Sequence, residues 1–167
     1  MNRYARLTTP LGPMVAIALG GRLVAIDFED AKHARAIGAD WSEDPQAPPL
    51  RECAAQLSEY FAGRRRVFDL PLAPEGTAFQ QRVWREIARV PFGETISYAA
   101  LAARAGAPGA ARAAGAATGR NPLAIVVPCH RIVGSSGEIT GYAGGVERKA
   151  RLLALESGGD LFSRAAA

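Results

Sequence analysis

Cys129 and His130 are adjacent in the segment Pro128-Cys-His-Arg131, and together they supply a thiol nucleophile and a base. A free thiol with a pKa of about 8.5 is only slightly ionised at neutral pH, so a nucleophilic cysteine needs a group that takes its proton. Successive side chains of a strand point to opposite faces, so contact between these two requires an irregular backbone or a bridging water. A buried cysteine beside a hydrogen-bonded histidine is the alternative interpretation.

The remaining cysteine and histidine, Cys53 and His33, do not form a second chemical pattern. The two cysteines lie 76 residues apart, and no Cys-x-x-Cys or His-x-x-x-His spacing occurs, so we expect no disulfide framework and no metal site. Cys53 falls on an apolar helical stripe and is predicted to be a core residue. No apolar run reaches about 18 residues, and free thiols are typical of a reducing compartment, so we predict a cytoplasmic protein without a membrane span.

Charge is distributed unevenly along the chain. Residues 1–74 hold nine basic and nine acidic side chains, whereas residues 75–167 hold eleven and seven. Between residues 82 and 131 there are seven arginines and only two acidic residues. This excess favours a polyanionic partner, although a solvated basic face is an equally simple explanation.

The first 74 residues predict a small sheet followed by a helix. Residues 4–28 alternate apolar runs with turn signals, which indicates a hairpin or meander. Apolar residues recur at helical spacing from Leu50 to Phe61. The arginines of residues 64–66 then either interact with the end of that helix or contact DNA. The proline-rich segment 70–74 is extended, and we place a domain boundary after it.

The second part, residues 75–167, predicts several short helices. Thr77 begins a capping-box pattern, and Ser97 caps another helix that reaches about residue 105. A glycine-containing turn separates this helix from one over residues 110–118, which is the order of a helix-turn-helix. Residues 123–127 form an apolar run, interpreted as a buried strand that leads to Cys129, and residues 146–156 are predicted to form the last helix.

Several blocks of the second part resemble the O6-methylguanine-DNA methyltransferase family. The blocks are residues 91–98, 110–113, 121–133, 135–137, 141–145 and 152–156, and the resemblance is strong from about residue 77 to 158. It implies an α/β protein with a ribonuclease-H-like sheet domain at residues 1–74. Residues 75–167 would then form a mainly helical, winged-helix-like domain that carries both the helix-turn-helix and the reactive cysteine.

The resemblance also implies roles for individual residues. Cys129 would be the alkyl acceptor, His130 would take its proton through a water, and Glu156 would orient His130. Asn121 would hold the turn around the site, and Tyr98 would give a proton to the leaving guanine. Lys149 either places a cation near guanine O6 or lies on the helix surface.

Two further groups follow from the same resemblance. Arg112 would be the arginine that enters the base stack in the minor groove, and the residues that would contact DNA with it are Ala110, Ala111, Ala113, Thr95, Ser97, Arg120 and Arg131. The residues that would form the base pocket are Tyr142, Gly144, Val133, Ser135 and Lys149. Ala143 occupies a position where some relatives have serine, which leaves the range of alkyl groups open.

The implied reaction moves an alkyl group from guanine O6 in duplex DNA to Cys129, with O4-alkylthymine left open as a second substrate. Flipping the damaged base out of the duplex would precede it. No cofactor is expected, and the thioether would be permanent, so each molecule would react once. The resemblance favours a monomer able to cluster on DNA. Two rivals are a thiol hydrolase that uses Cys129, His130 and Glu156, and a DNA-binding module that recognises alkylated bases without reacting.

Overall fold

The computed structural model describes residues 2–158 and begins with an antiparallel meander. Strand β1 (Arg3–Thr9) pairs with β2 (Gly12–Leu19), and β2 pairs with β3 (Arg22–Phe28). The short strand β4 (Ser42–Glu43) lies parallel to β1, so the sheet order is β3-β2-β1-β4. The meander predicted from alternating apolar runs and turn signals is confirmed.

Helix α1 (Pro48–Phe61) covers one face of this sheet. Its apolar side chains, among them Leu50, Cys53 and Leu57, are buried against the strands because they recur every three or four residues. The predicted helix and the predicted core position of Cys53 are therefore confirmed. Beyond the helix, the Arg65 guanidinium lies 3.5 Å from the Glu59 carboxylate and donates to the carbonyl of Val67, so this arginine links the last turn of α1 to the chain that follows it.

The segment that joins the two parts runs along β3. The N–H of Leu23 donates to the carbonyl of Pro71, and the N–H of Ala73 donates to the carbonyl of Leu23. Helix α2 (Ala78–Ala88) follows, and Thr77 and Gln80 form the predicted capping box at its start. A nearly extended linker therefore adds to the sheet edge before the helical part begins.

The helix-turn-helix is formed by α3 (Tyr98–Arg104) and α4 (Ala111–Gly119), which pack against each other. The Ser97 hydroxyl accepts a hydrogen bond from the third residue of α3, as its sequence position predicts. Immediately before α3, strand β5 (Ile96–Ser97) pairs in parallel with β6 (Ile132–Val133). This small sheet ties the start of α3 to the chain that follows Cys129.

Helix α5 (Val146–Glu156) is the last helix of the described residues, as predicted, and its buried Leu152 and Leu155 join a core shared by both parts. The Trp84 indole in α2 is also buried in that core and donates to the carbonyl of Ala117. Residues 159–167 of the second predicted domain lie outside the described residues. Among residues 2–158, no helix has the length and apolar character needed to cross a membrane.

The predicted strand over residues 123–127 is wrong. Pro122 accepts a hydrogen bond from Ile26, Ala124 donates to the carbonyl of Ile26, and the backbone then turns sharply, with Ile125 at a φ of +71°. A positive φ is rare for a β-branched residue because its side chain clashes with the backbone, so surrounding contacts must hold it there. The segment is thus a buried turn, which an apolar run alone does not distinguish from a strand.

Candidate functional site

Asn121 organises the turn that carries Cys129. Its side-chain amide donates to the carbonyl of Val127 over 2.8 Å, and its side-chain oxygen accepts from the N–H of Leu123 over 3.0 Å. Cys129 then begins a single 3₁₀ turn, Cys129–Arg131. The irregular backbone that the Cys-His pair requires is therefore present, and Asn121 occupies the position that its predicted role demands.

Behind the cysteine, a buried carboxylate accepts hydrogen bonds from several directions. The Nε2 atom of His130 lies 2.7 Å from the Oε2 atom of Glu156, and the Tyr60 hydroxyl donates to the same oxygen over 2.6 Å. Burial raises the pKa of Glu156, but hydrogen bonds from His130, Arg131 and Tyr60 outweigh it and bring the pKa to about 2. Glu156 is consequently ionised at neutral pH although it is buried.

His130 is poised as a neutral base. Burial lowers its pKa, which the hydrogen bond to Glu156 opposes, so the ring is uncharged in the resting protein. An ionised carboxylate only accepts, so the Nε2 atom carries the ring hydrogen and donates it to Glu156. The Nδ1 atom is buried and has no hydrogen-bond partner among the described residues. Its lone pair is therefore available to accept a proton.

The prediction that Arg131 contacts DNA is corrected by its position in the structure. Its side chain is 6% exposed, and its guanidinium makes hydrogen bonds of 2.7 and 3.0 Å to Glu156 and one of 2.6 Å to the carbonyl of Val90. A guanidinium with these internal partners does not reach a phosphate. Charge counting could not reveal this, because an arginine that neutralises a buried carboxylate looks the same in sequence as one on the surface.

Cys129 lies on a cavity of about 570 Å³ that also reaches the helix-turn-helix. The residue as a whole is 7% exposed. Its neighbours in the lining are Lys32, His33, Tyr98, Gly115, Ala116, Thr118, Gly119, Arg120, Gly141, Tyr142 and Ala143. The cavity thus joins the reactive sulfur, the predicted recognition helix and the loop that follows β6 in a single concave site.

The Cys129 thiol is neutral in the resting site. Burial raises its pKa, whereas a hydrogen bond from Asn121 and the positive charge of Lys149 lower it. Because burial dominates, the thiol pKa lies above its ordinary value. A thiolate must therefore form when the proton moves to another group during the reaction.

Lys149 lies inside the site and not on the helix surface. Its residue exposure is 0%, and its Nζ atom donates to the carbonyl of Thr140 over 2.7 Å and to the Tyr98 hydroxyl over 3.3 Å. Burial lowers the pKa of Lys149 to about 8, while burial raises that of Tyr98. The pair combines an ammonium that releases its proton readily with a phenol that stays protonated.

Only one of the predicted pocket residues lines the cavity. The Tyr142 ring forms part of the wall, together with Gly141 and Ala143 from the same loop. Gly144 packs behind the wall, since a Cβ atom placed on it would lie 2.8 Å from the Tyr142 ring and 2.9 Å from the Phe28 ring. Among the others, Val133 is buried in β6 and Ser135 is exposed beyond it. Lys149 contacts the loop through a hydrogen bond to the carbonyl of Thr140.

The predicted DNA-binding residues cluster around the helix-turn-helix, and their role stays a prediction. Arg112 and Ala113 are exposed on α4, while Ala110 and Ala111 are partly buried at its start. Arg120 is exposed at the cavity. Of the two predicted contacts that precede α3, Thr95 is exposed, whereas the Ser97 hydroxyl caps that helix.

Three residues of the first part belong to the site and were missed from the sequence. Tyr60 donates to Glu156, and Lys32 and His33 line the cavity. Tyr60 falls on the apolar stripe of α1, which marks it as a core residue but gives no indication of its partner 96 positions away. Within residues 2–158, no group of three or more histidine, cysteine or acidic side chains could hold a metal ion.

The chain is similar to known proteins over nearly its whole length. Residues 2–74 match the ribonuclease-like domain, and residues 78–158 the DNA binding domain, of 6-O-methylguanine DNA methyltransferase. Methylated-DNA--protein-cysteine methyltransferase of Methanosarcina barkeri is 45% identical and covers 92% of this chain and 96% of its own. The constitutive enzyme of that name from Bacillus subtilis is 44% identical over 93% of this chain and 96% of its own. A structure of Mycobacterium tuberculosis OGT in complex with DNA has a TM-score of 0.86 and 44% identity, and covers 93% of each chain.

Proposed function

Because the chain belongs to the 6-O-methylguanine DNA methyltransferase family, we propose that it repairs duplex DNA by moving an alkyl group from guanine O6 to Cys129. One observation carries this proposal. The sulfur of Cys129 lies on a cavity shared with the helix-turn-helix, and the buried His130 and Glu156 pair, joined over 2.7 Å, stands behind it. The site thus combines a nucleophile, a base and a DNA-binding element.

The recognition helix supports an approach to the DNA backbone without sequence reading. Ala110, Ala111 and Ala113 have short side chains that allow the start of α4 to come close to a groove. Arg112 is exposed beside them and is long enough to enter the stack left by an extruded base. Repair must act at any sequence, so contacts to phosphates and to the vacated stack suit it better than base-edge contacts.

An extruded guanine would enter the cavity with its alkyl group toward Cys129. Extrusion costs a few kcal/mol, and less where alkylation has already weakened the base pair. Tyr142 provides an aromatic face at the wall of the cavity, and Tyr98 provides a hydroxyl. The cavity excludes most solvent from the sulfur, which favours attack on a bound alkyl carbon over other reactions.

The proton of the thiol would move to Nδ1 of His130 through one water molecule. His130 then carries a positive charge, which the ionised Glu156 stabilises over 2.7 Å. The resulting thiolate attacks the alkyl carbon, a carbon–sulfur bond forms, and the bond from that carbon to guanine O6 breaks. The electron pair of the broken bond stays on the guanine.

Tyr98 would give its proton to the guanine as the negative charge develops there. Lys149 is 3.3 Å from the Tyr98 oxygen and has a pKa of about 8, so it can return a proton to the phenolate. The products are a thioether at Cys129 and an unmodified guanine. Water does not cleave a thioether at neutral pH, so each protein molecule would act once.

Mass measurement of the intact protein tests the proposal. After mixing with duplex DNA that contains O6-methylguanine, wild-type protein should gain one methyl group at Cys129, and Cys129→Ser should gain none. Unmodified protein that binds the duplex tightly would support the non-reacting module, and unmodified protein that does not bind would favour the hydrolase. Cys53→Ser is the matched control, because it removes the other thiol and should be methylated normally.

Arg112→Ala tests the proposed role of the recognition helix. It should slow the reaction with methylated duplex much more than the reaction with free O6-benzylguanine, because only the duplex requires extrusion of the base. Equal slowing on both substrates would remove the assigned role. Arg104→Ala, which changes an exposed arginine at the end of α3, is a suitable comparison.

A further inference from the structure

Arg148, on the first turn of α5, connects the first part of the chain to the wall of the cavity. Its Nε atom donates to the carbonyl of Leu11 over 2.9 Å, and its Nη1 atom donates to the carbonyl of Gly144 over 3.1 Å and to Asp30 over 2.6 Å. Its guanidinium lies 4.2 Å from the centre of the Phe28 ring. A single side chain therefore holds the β1–β2 turn, the end of β3 and the cavity loop together.

Phe28 and Tyr142 both place their rings close to Gly144, and Tyr142 packs against the core cluster that contains Phe28. A Cβ atom on Gly144 would lie 2.9 Å from the ring of Phe28 and 2.8 Å from that of Tyr142, closer than real Cβ contacts. Phe28 is 1% exposed and belongs to β3. Gly144, which has no side chain, therefore lies within packing distance of both the Tyr142 wall of the cavity and the sheet core at Phe28.

The loop over residues 134–145 needs this support because little else orders it. Most of its residues are exposed, and it contains no helix or strand. Lys149 holds Thr140 and Gly141, whereas Arg148 holds Gly144. The N–H of Lys32 also donates to the carbonyl of Ala143 over 2.9 Å. Two successive residues of α5 therefore fix the two sides of Tyr142.

We propose that Arg148 is a positioning residue that locks the Tyr142 wall onto the N-terminal sheet, so that this sheet sets the geometry in which an extruded base meets Cys129. The inference rests on the proposed function and assigns to the first 74 residues a part in the reaction. Arg148 itself does not line the cavity. Its effect would reach the substrate through Gly144 and Tyr142.

Two variants test the inference from opposite sides of the contact. Arg148→Met keeps an apolar side chain over Phe28 but removes all donors. Gly144→Ala places a methyl group against the Tyr142 and Phe28 rings so that one of them must move, and it adds no backbone strain because Gly144 does not have a positive φ. Arg151→Met is the matched control, since Arg151 is half-buried on the same helix and makes no hydrogen bond or ion pair among the described residues.

Three readouts separate positioning from a merely structural role. The first is the maximal rate of methyl transfer from saturating, excess O6-methylguanine duplex, together with the amplitude, which counts active protein molecules because each reacts once. The second is affinity for unmodified duplex, and the third is the rate at which iodoacetamide alkylates Cys129. A misplacement of about 1 Å in a reacting pair costs up to about a hundredfold in rate.

We expect the maximal rate to fall about tenfold or more in Arg148→Met and Gly144→Ala, with duplex affinity and iodoacetamide rate within about twofold of wild type. Arg148→Lys should recover part of the rate, because one ammonium cannot reach all three oxygens. The inference is overturned if the amplitude falls while the rate constant per active molecule stays at the wild-type value. It is also overturned if iodoacetamide slows equally. If wild-type protein accepts no methyl group, the proposed function itself fails.

Discussion

Cys53 and Cys129 are both buried, free cysteines, but they lie in regions of opposite character. Cys53 packs among apolar side chains between α1 and the sheet, where burial alone raises its pKa to about 12. Cys129 is just as desolvated, yet Asn121 and Lys149 oppose the effect and a cavity opens beside it. What makes a cysteine reactive in this molecule is therefore the arrangement of polar groups and space around the sulfur, and not exposure.

Removing the carboxylate behind His130 should cause the largest loss of Cys129 reactivity. Glu156→Gln should slow methyl transfer by about a hundredfold or more, because the histidine charge that forms during the reaction loses its partner. It should also lower the free energy of unfolding by about 3 kcal/mol, because Arg131 is left as an unpaired buried charge. Single-turnover rates and urea unfolding measure the two effects.

Glu147→Gln is the control for this change, since Glu147 is an exposed carboxylate on the first turn of the same helix. Its rate and stability should stay near those of wild type. A Glu156→Gln protein that reacts within about threefold of wild type would contradict the assigned role of the relay.

Loss of the buried ammonium should have the next largest effect. Lys149 has a pKa of about 8, lower than in water because of burial, so it is charged below that pH and loses its charge as the pH rises through it. We expect the methyl-transfer rate to decline above about pH 8, and Lys149→Met to abolish this decline while lowering the rate below it about tenfold. A pH profile with single-turnover kinetics measures both, and Lys149→Arg, which stays charged, provides the comparison. An unchanged alkaline decline in Lys149→Met would assign it to another group.

Loss of the Asn121 side chain should have a smaller effect, and it should make the Cys129 thiol more like that of Cys53. Asn121→Ala removes the hydrogen bond that lowers the Cys129 pKa, so that pKa should rise and iodoacetamide should react several-fold more slowly near neutral pH. The same change leaves backbone groups of the turn unpaired, at a cost of about 1 to 3 kcal/mol. Thiol titration by rate of alkylation checks the first effect. A pKa that stays constant in the variant would show that Asn121 only holds the backbone.

The smallest expected effect belongs to the other cysteine. Cys53→Ala should leave the methyl-transfer rate unchanged and lower the free energy of unfolding by about 1 kcal/mol, because it removes one buried sulfur from the core. Rate and urea denaturation are again the measurements. A clear loss of rate with normal amplitude would mean that the sheet core influences the chemistry through α1 as well as through Arg148.

Local patterns in the sequence predicted most of the elements. The capping box at Thr77 and the cap at Ser97 are decided by residues three positions apart, and the meander by alternation within single strands, so no distant information is required. The pairing of His130 with Glu156 was expected only through the family resemblance, and the structure brings the two side chains together.

Other features depend on contacts between distant segments, and the sequence did not reveal them. Residues 123–127 form a turn because Asn121 and the edge of β3 make hydrogen bonds to their backbone. The apolar pattern of the segment would be the same in a buried strand, so it does not reveal these contacts. Arg131 and Lys149 look like surface cations in the sequence, yet internal carboxylate and carbonyl groups hold both inside. Hydrophobic periodicity and composition are properties of a single segment, so they do not identify the distant segment that it contacts.

The hydrogen bond from Tyr60 to Glu156 has a consequence for how the chain can be divided. Tyr60 belongs to α1 and Glu156 to the end of α5, and their oxygens are 2.6 Å apart in the interior. A fragment that starts after the linker would contain every residue of the proton relay, but its carboxylate would lose a donor and face water where α1 had been. Removing the first part would therefore change the surroundings of Glu156, and a truncated protein would hold this carboxylate without the donor that Tyr60 supplies.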